Sequence, residues 1–224
     1  IDPGVRNLAI SEAAAPYVLY YAPDPSSQIA CSIGGHVCEH ARGVHFLKYG
    51  LTVHNVLALK VVTMYGDITT IRAEALPSPG FDLLAVMHGS EGMLGVVVEV
   101  TVKLLPAPLT KQVLMASFDN VEAGGHAVAG IIADGIIPGG LEMMDGAAIQ
   151  AAEDFVHAGY DTQAAAILIC ELDGSEAEVA DQMQAVKSCL TEHGASAIQV
   201  AADDAERARF WGGRKAAFPA GGRI

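Results

Sequence analysis

The stretch AAAILICELDGSEAEVADQMQAVKSCLTEHG, residues 164–194, joins an apolar run to a polar segment with helical spacing. The run Ala164–Gly174 predicts a buried strand, because it is short, apolar and ends at a glycine. Ser175 follows with Glu178 three residues later, which is the capping-box pattern of a helix start, and Gly194 closes the helix. A strand followed directly by a helix is therefore the unit from which this half of the chain is built.

The same alternation extends on both sides, from Lys111 to Phe218. Its order βαβαβαβα predicts a small α+β sheet with helices on one face. The Pro-rich Leu104–Thr110 precedes it, so we predict two domains, residues 1–107 and 108–224. The other predicted strands are 111–118, 139–145 and 196–201, and the other predicted helices are 121–135, 147–158 and 203–218.

The first half of the chain has the character of β-structure. Leu51–Ala73 contains branched residues in partial alternation, and Tyr65-Gly66-Asp67 divides it, which predicts a hairpin. A further strand is predicted from Val96 to Leu105, where prolines end it.

The composition excludes several classes of protein. A net charge of -13 argues against an extended nucleic-acid surface, because it would repel polyanions. Four scattered cysteines are too few for a disulfide framework and predict a reducing compartment. No run approaches the ~18 apolar residues of a transmembrane helix, and we predict no signal peptide. Because the chain starts Ile-Asp-Pro without Met and ends GGRI, we expect a fragment.

The first chemistry-bearing stretch is PDPSSQIACSIGGHVCEHARG, residues 23–43. Phosphate binding needs main-chain N–H groups that a ligand can approach, which favours small residues at a helix start. A helix beginning near Val37 would let a pyrophosphate rest on this turn; a plain Ser/Gly loop is the alternative. The small residues are Ser26, Ser27, Ser32, Gly34 and Gly35.

The second stretch, HGSEGMLGVVVEV, places Gly89, Gly92 and Gly95 at intervals of three just before a strand. Glycines there let the main chain approach a planar or phosphorylated ligand. A glycine-rich strand entry without a ligand is the alternative.

Histidine and cysteine suit zinc, and His36, Cys38, His40 and His45 lie close together in the sequence. However, the second ligand pair that structural zinc motifs take from another element is missing. We therefore expect no metal and interpret these histidines as solvated or capping residues.

A cationic cluster surrounds the only tryptophan. On a helix Arg207, Trp211, Arg214 and Lys215 would share one face, and an arginine fork suits a carboxylate. Arg214 is thus a candidate for holding a small acid. The alternative is a surface helix whose arginines pair with nearby acids: Asp203, Asp204 and Glu206.

Four stretches taken in order resemble a known family: PDPSSQIACSIGG, GFDLLAVMHGSEGMLGVVVEVTVKLLP, IIPGGLEMMD and FWGGRKAAFP. The set resembles the FAD-linked 2-hydroxyacid and D-lactate dehydrogenases of the vanillyl-alcohol-oxidase, or PCMH-type, fold, and among them the FAD-linked subunits of bacterial glycolate oxidases. The resemblance spans essentially the whole chain. It implies part of an FAD-binding domain over residues 1–107 and a ferredoxin-like α+β cap over residues 108–224.

The resemblance also implies site residues. Arg214 falls on the family's arginine for the substrate carboxylate, whereas the catalytic base belongs to a stretch outside this sequence. Glu91, Gly92, Gly95 and Val96 would contact the adenine and ribose side of FAD. The residues implied along the diphosphate and flavin ring, or beside them, are Pro23, Asp24, Pro25, Ser26, Ser27, Ile33, Gly34, Gly35, His36 and His40.

The implied reaction is the oxidation of a small 2-hydroxy acid, glycolate or D-lactate, to the 2-keto acid, with hydride transfer to the flavin. In glycolate oxidase the electrons leave through partner subunits, one of them iron–sulfur and another a second flavin-domain subunit, towards quinone. The resemblance implies a cytoplasmic protein that such partners can hold at the inner face of the membrane.

The chain departs from the family pattern IGGN-x-x-x-N-x-GG. His36, His40 and Arg42 stand where the family has Asn, Asn and Gly. Arg42 would be strained if its backbone had positive φ, or it would pair with a phosphate. The family's Gly-rich opening loop and its C-terminal part lie outside this sequence, so we expect half the FAD cradle and part of the active site to be missing here. A flavin-free structural or assembly module, or a metal-binding module, are the alternatives.

Overall fold

A computed structural model describes residues 1–72 and 80–222. The chain divides into two compact units, Ile1–Ala107 and Pro108–Ile224. Within the described residues, no helix has both the length and the apolar character needed to cross a membrane. All four cysteines are free thiols.

The first unit combines short helices with a three-stranded antiparallel sheet in the order β3-β2-β4. Two 3₁₀ turns, Ala15–Tyr17 and Thr52–Asn55, complete it. Its helices are α1 (Asn7–Ala14), α2 (Ile33–Glu39), α3 (Phe46–Tyr49) and α4 (Leu83–Met87), and its strands are β1 (Leu19–Tyr20), β2 (Val56–Val62), β3 (Ile68–Arg72), β4 (Val96–Val102) and β5 (Leu105–Pro106).

The predicted hairpin is confirmed, since β2 and β3 pair antiparallel with Val62 opposite Ile68 across the turn. Ala73, its predicted last residue, lies outside the described residues. The strand predicted over Val96–Leu105 is wrong at its end. β4 ends at Val102, Lys103 N–H makes a last bond to Asn55 O at 2.8 Å, and β5 pairs with β1 instead.

One face of this sheet forms the core of the first unit. Leu59 and Val100 are fully buried between the strands and the helices. The helical side chains packed on them come from α1, α2 and α4, among them Ile10, Ile33, Val37, Leu84 and Met87. This packing fixes α2 and the segment that leads into β4 on the same side of the sheet.

The second unit is built on a four-stranded antiparallel sheet in the order β7-β8-β6-β9. With helices between successive strands, this is the predicted ferredoxin-like βαββαβ topology, with α6 inserted between the second and third strands. The elements are β6 (Thr110–Phe118), α5 (Val121–Ala133), β7 (Gly140–Asp145), α6 (Gly146–Val156), β8 (Ala166–Gly174), α7 (Glu176–Glu192), β9 (Ala195–Val200) and α8 (Asp204–Gly221).

Side chains at helix starts explain where these helices begin. Ser175 Oγ accepts from Glu178 N while Glu178 caps the Ser175 N–H, so the predicted capping box is confirmed. The side chains of Asn120, Asp145 and Asp203 likewise accept from a first-turn amide of α5, α6 and α8, without the reciprocal bond. Each cap satisfies an N–H that the first helical turn leaves without a partner.

The prediction that the helices lie on one face of this sheet is wrong. Residues of β8 facing one side, such as Leu168 and Cys170, pack with α5 and α7. Those facing the other side, such as Ile169 and Glu171, are equally buried. Trp211 of α8 donates Nε1–H to Glu171 Oε2 at 2.8 Å, and α6 packs against α8. The sheet is therefore covered on both faces, which is why β8 is an almost continuous apolar run.

Two adjacent glycines of α8 allow a test of this packing. A Cβ at Gly213 would meet the ring of Tyr160, whereas a Cβ at Gly212 has nothing within 4 Å. We expect Gly213→Ala to destabilise the unit by about 1–3 kcal/mol through overpacking. Gly212→Ala should stabilise it by up to about 1 kcal/mol through helix propensity. Urea unfolding of both variants measures this, and equal effects would mean that α8 does not pack on Tyr160.

Candidate functional site

A cavity of about 350 Å³ lies in the first unit, at the place where the two glycine-bearing stretches meet. Gly34 and Gly35 come from the first stretch, and Gly92, Gly95 and Val96 come from the second. Ser32, which the sequence placed in the phosphate turn, and Cys38, which was weighed for zinc, also line the cavity. Sequence reasoning missed the remaining lining residues: Pro3, Gly4 and Val97. Two segments that are about 60 residues apart in sequence thus form one backbone-walled recess.

Main-chain hydrogen bonds join the two stretches. Gly89 N donates to Val37 O at 3.1 Å, and Glu91 N donates to Cys38 O at 3.0 Å, both at the end of α2. The loop reaches these carbonyls through left-handed residues, with φ of 75° at Gly89, 52° at Glu91 and 77° at Gly92. A side-chain-bearing residue such as Glu91 adopts this conformation only at a cost, so the contact with α2 holds the loop in shape.

Close packing explains two of the five glycines in the cavity wall. A Cβ at Gly34 would lie 2.7 Å from Pro3 Cβ, and a Cβ at Gly95 would lie 2.5 Å from Val61 Cγ1. Neither position has room for a side chain, so the wall is main chain.

The helix start itself differs from the prediction. α2 begins at Ile33, not near Val37, with Ser32 as its N-cap. Its first amides are already used, because Ile33 N donates to Val5 O, Gly34 N to Pro3 O and Gly35 N to Ser32 Oγ. These three amides therefore have internal partners, and a pyrophosphate resting on this turn stays a prediction.

Several residues implied along the cofactor do not line the cavity. Pro23 and Pro25 are buried, while Ser26 and Ser27 are exposed. Asp24 forms an ion pair with His45, Oδ2 to Nδ1 at 2.9 Å. Ile33 belongs to the core, Glu91 is exposed, and neither lines the cavity. Their contacts with a cofactor stay predictions.

His36 does not line the cavity, and its contact with a cofactor stays a prediction. The ring is 1% exposed. Its Nδ1 lies 2.6 Å from Asn7 Nδ2, and its Nε2 lies 3.0 Å from Ala41 O and 2.9 Å from Thr52 Oγ1. A proton on Nε2 donated to Ala41 O, with Nδ1 accepting from Asn7, satisfies both nitrogens of a neutral ring. Burial lowers the pKa of His36, in agreement with that state.

The backbone strain expected at Arg42 falls on His40 instead. His40 ends α2 in the left-handed region with φ of 48°, whereas Arg42 does not have positive φ. Asparagine, the residue of the family pattern at His40, adopts this conformation more readily than most residues.

His40 does not line the cavity, and its ring packs edge-on against His88 with centroids 5.7 Å apart. His88 Nδ1 donates to Leu84 O at 2.7 Å, so a neutral ring keeps its lone pair on Nε2. Burial lowers the pKa of both histidines. Nε2 of each ring and Oγ of Ser90 are buried without a hydrogen-bond partner in the described part of the chain.

The four residues considered for zinc point to different places. His36 is bonded internally, His45 pairs with Asp24, Cys38 lines the cavity and His40 packs on His88. Across residues 1–72 and 80–222, no group of three or more His, Cys, Asp or Glu has the geometry to hold a metal. Burial also raises the pKa of the Cys38 thiol, which disfavours the thiolate that a metal needs.

The second unit places the cationic cluster on the sheet face covered by α8. Arg207 Nη1 donates to Lys111 O at 3.1 Å, and Trp211 bonds to Glu171. Arg214 donates Nε–H and Nη2–H to Glu142 Oε2, at 3.2 and 2.8 Å. The predicted shared face of the helix is thus confirmed for Arg207, Trp211 and Arg214.

Two arginines of α8 form ion pairs with acids of the same helix, as the surface-helix alternative predicted. Arg207 also pairs with Asp204, and Arg209 pairs with Glu206 at 2.7 Å. Arg214 behaves differently, because its partner Glu142 comes from β7 rather than from its own helix.

Sequence reasoning missed the acidic residues of this face. Glu171 and Asp173 are 5% and 3% exposed, and Lys111 Nζ lies 3.1 Å from Glu171 Oε1. The signal was present in ILICELDG, where acids at alternate positions interrupt an apolar strand. Buried carboxylates of this kind need cationic or N–H partners, and α8 supplies one of them.

The buried histidines predict how stability depends on pH. Because folding lowers the pKa of His36, His40 and His88, the unfolded chain binds protons first, and the free energy of unfolding falls as pH drops below about 6.5. We expect His88→Gln to reduce this slope, by at most about 1.4 kcal/mol per pH unit.

Urea unfolding between about pH 7.5 and about pH 5 measures the slope. His126→Gln, at a position whose side chain is 66% exposed, is the control for the substitution itself. An unchanged slope in His88→Gln would contradict a neutral, buried His88.

Comparison with known proteins supplies the family. Residues 107–224 match the family described as FAD linked oxidases, C-terminal domain, and residues 1–72 match the FAD binding domain family. Glycolate oxidase subunit GlcD of Escherichia coli strain K12 is 64% identical over 224 residues, which cover 100% of this chain and 45% of that protein. A mitochondrial D-lactate dehydrogenase [cytochrome] of Arabidopsis thaliana is 30% identical over 97% of this chain and 38% of its own length.

A solved structure of an alkyldihydroxyacetonephosphate synthase has the same fold. It superposes with a TM-score of 0.78 at 19% identity, over 98% of this chain and 42% of that one. The chain thus spans less than half the length of each of these proteins. Because the first of the family matches covers more than half of the chain, this chain belongs to the family of FAD-linked oxidases.

Proposed function

We propose that the protein containing this chain oxidises a small 2-hydroxy acid, glycolate or D-lactate, to the 2-keto acid with FAD. The observation that carries the proposal is the cavity formed jointly by Gly34, Gly35, Gly92 and Gly95. The names of the two relatives support the substrate class, because glycolate and D-lactate both carry a hydroxyl next to a carboxylate. When bound, FAD supplies the acceptor for the hydride that leaves the substrate Cα.

The cavity walls fit a flat part of this cofactor better than its diphosphate. Main chain, proline and valine line the recess, which suits a planar group. The amides at the start of α2 have internal partners and leave little for phosphate oxygens. In this proposal residues 1–107 form part of the FAD domain, and residues 108–224 form the cap.

Arg214 is the proposed partner of the substrate carboxylate. An arginine fork binds and orients a carboxylate through paired N–H donors, which would hold the reacting carbon in place. We further propose partner subunits, one of them iron–sulfur and another with a second flavin domain, that carry the electrons towards quinone. The word subunit in the name of the relative supports an assembly.

Filling the cavity should prevent cofactor binding. A Cβ at Gly4 meets nothing within 4 Å although Gly4 lines the cavity, so Gly4→Leu adds bulk without a clash. In the complete protein we expect Gly4→Leu to weaken FAD binding at least about tenfold in a titration of flavin absorbance, since a filled pocket loses shape complementarity. Gly125→Leu, at an open position on α5, is the control. Wild-type protein that shows no flavin absorbance after FAD is added would favour the flavin-free module.

Replacing Arg214 should impair use of the acid substrate. We expect Arg214→Met to raise KM and lower kcat/KM roughly 10²-fold, because a charge-assisted contact is lost. Steady-state kinetics of the complete enzyme measure this, with Arg209→Met on the same helix as the matched control. A kcat/KM equal to that of wild type would remove Arg214 from the site.

A further inference from the structure

Glu142 and Arg214 form an ion pair between a strand and a helix in the second unit. A single carboxylate oxygen, Oε2, accepts from both Nε and Nη2 of the arginine. The side chains are 17% and 30% exposed, respectively, so the pair is partly shielded but still open on one side. Glu142 is placed by its register in the sheet, opposite Ile169 of β8.

This arrangement leaves one edge of the guanidinium available. An arginine carries five N–H donors, and Glu142 takes one from Nε and one from Nη2. The remaining donors, on Nη1 and Nη2, have no partner among the described residues. They form the opposite fork of the planar group, which is the edge that binds a carboxylate through two parallel bonds.

The turn of α8 just before Arg214 is held by contacts with the rest of the unit. Trp211, three residues before, is bonded to buried Glu171. Tyr160 Oη donates to Phe210 O, and the Tyr160 ring lies against Gly213. With α8 held in this way, the position of the guanidinium depends mainly on its own side chain and on Glu142.

We propose that Glu142 is a positioning residue for Arg214, which it aims so that the Nη1–Nη2 edge receives the carboxylate of the substrate. This inference rests on the proposed function, because it assigns that carboxylate to Arg214. Glu142 has a second effect, on affinity: its negative charge offsets that of the arginine, so an incoming monocarboxylate is bound less tightly and the keto-acid product leaves more readily.

Two substitutions of Glu142 in the complete enzyme separate its effect on the orientation of Arg214 from the effect of its negative charge. Glu142→Gln keeps an acceptor oxygen but removes the negative charge beside the arginine. We therefore expect the KM for the 2-hydroxy acid to fall a few-fold, and the inhibition constant of a simple monocarboxylate such as acetate to fall as well. Glu142→Ala removes both, and the loosened arginine should raise KM roughly tenfold to a hundredfold. Arg209→Met, which breaks an exposed pair on the same helix, should leave both constants unchanged.

A double variant decides whether Glu142 acts through the arginine. If it does, the double variant Glu142→Ala with Arg214→Met has the same kcat/KM as Arg214→Met alone. The inference is overturned if Glu142→Ala and Glu142→Gln both keep the wild-type KM, or if the two losses simply add. If Arg214→Met itself leaves KM unchanged, the proposed function fails at Arg214, and that result is distinguishable from a failure at Glu142 alone.

Discussion

The cavity of the first unit depends on two main-chain hydrogen bonds between the Gly89–Gly92 loop and the last carbonyls of α2. These bonds require the loop to turn through three left-handed residues, two of which are glycines. Close packing sets two further glycines nearby, since a Cβ at Gly34 would meet Pro3 and a Cβ at Gly95 would meet Val61. Positive φ and close packing together thus require glycine at four positions of the recess and the loop beside it.

A different constraint shapes the second unit, where β8 is buried on both faces. Burying Glu171 and Asp173 is unfavourable unless donors or cations reach them, and Lys111 and Trp211 reach Glu171. The same helix that provides Trp211 then presents Arg214 to Glu142. The acidic side chains on this face of the sheet are therefore paired in part by the donors and cations of α8.

Local signals in the sequence were sufficient for elements whose cause is local. The capping box at Ser175 and the turn at Tyr65–Asp67 lie within a few residues of the structures that they produce, and both predictions are confirmed. The meeting of the two glycine stretches was expected from the family resemblance, since neither stretch alone indicates the other. The features that could not be predicted depend on contacts between residues distant in sequence. Asn7 and Thr52 bond to His36, and Glu142 pairs with Arg214. Helices also cover the second face of the sheet. The positive φ considered for Arg42 occurs at His40, because the sequence does not show at which residue α2 ends.

The walls of the recess include residues that are far apart in the sequence of the first unit, such as Pro3 and Val97. Such a recess exists only while the unit is folded, so whatever fills it binds the native state and not the unfolded chain. By mass action an occupant at a hundred times its dissociation constant adds about 2.7 kcal/mol to folding. A group bound in this recess would therefore raise the stability of the first unit as well as serve its chemistry.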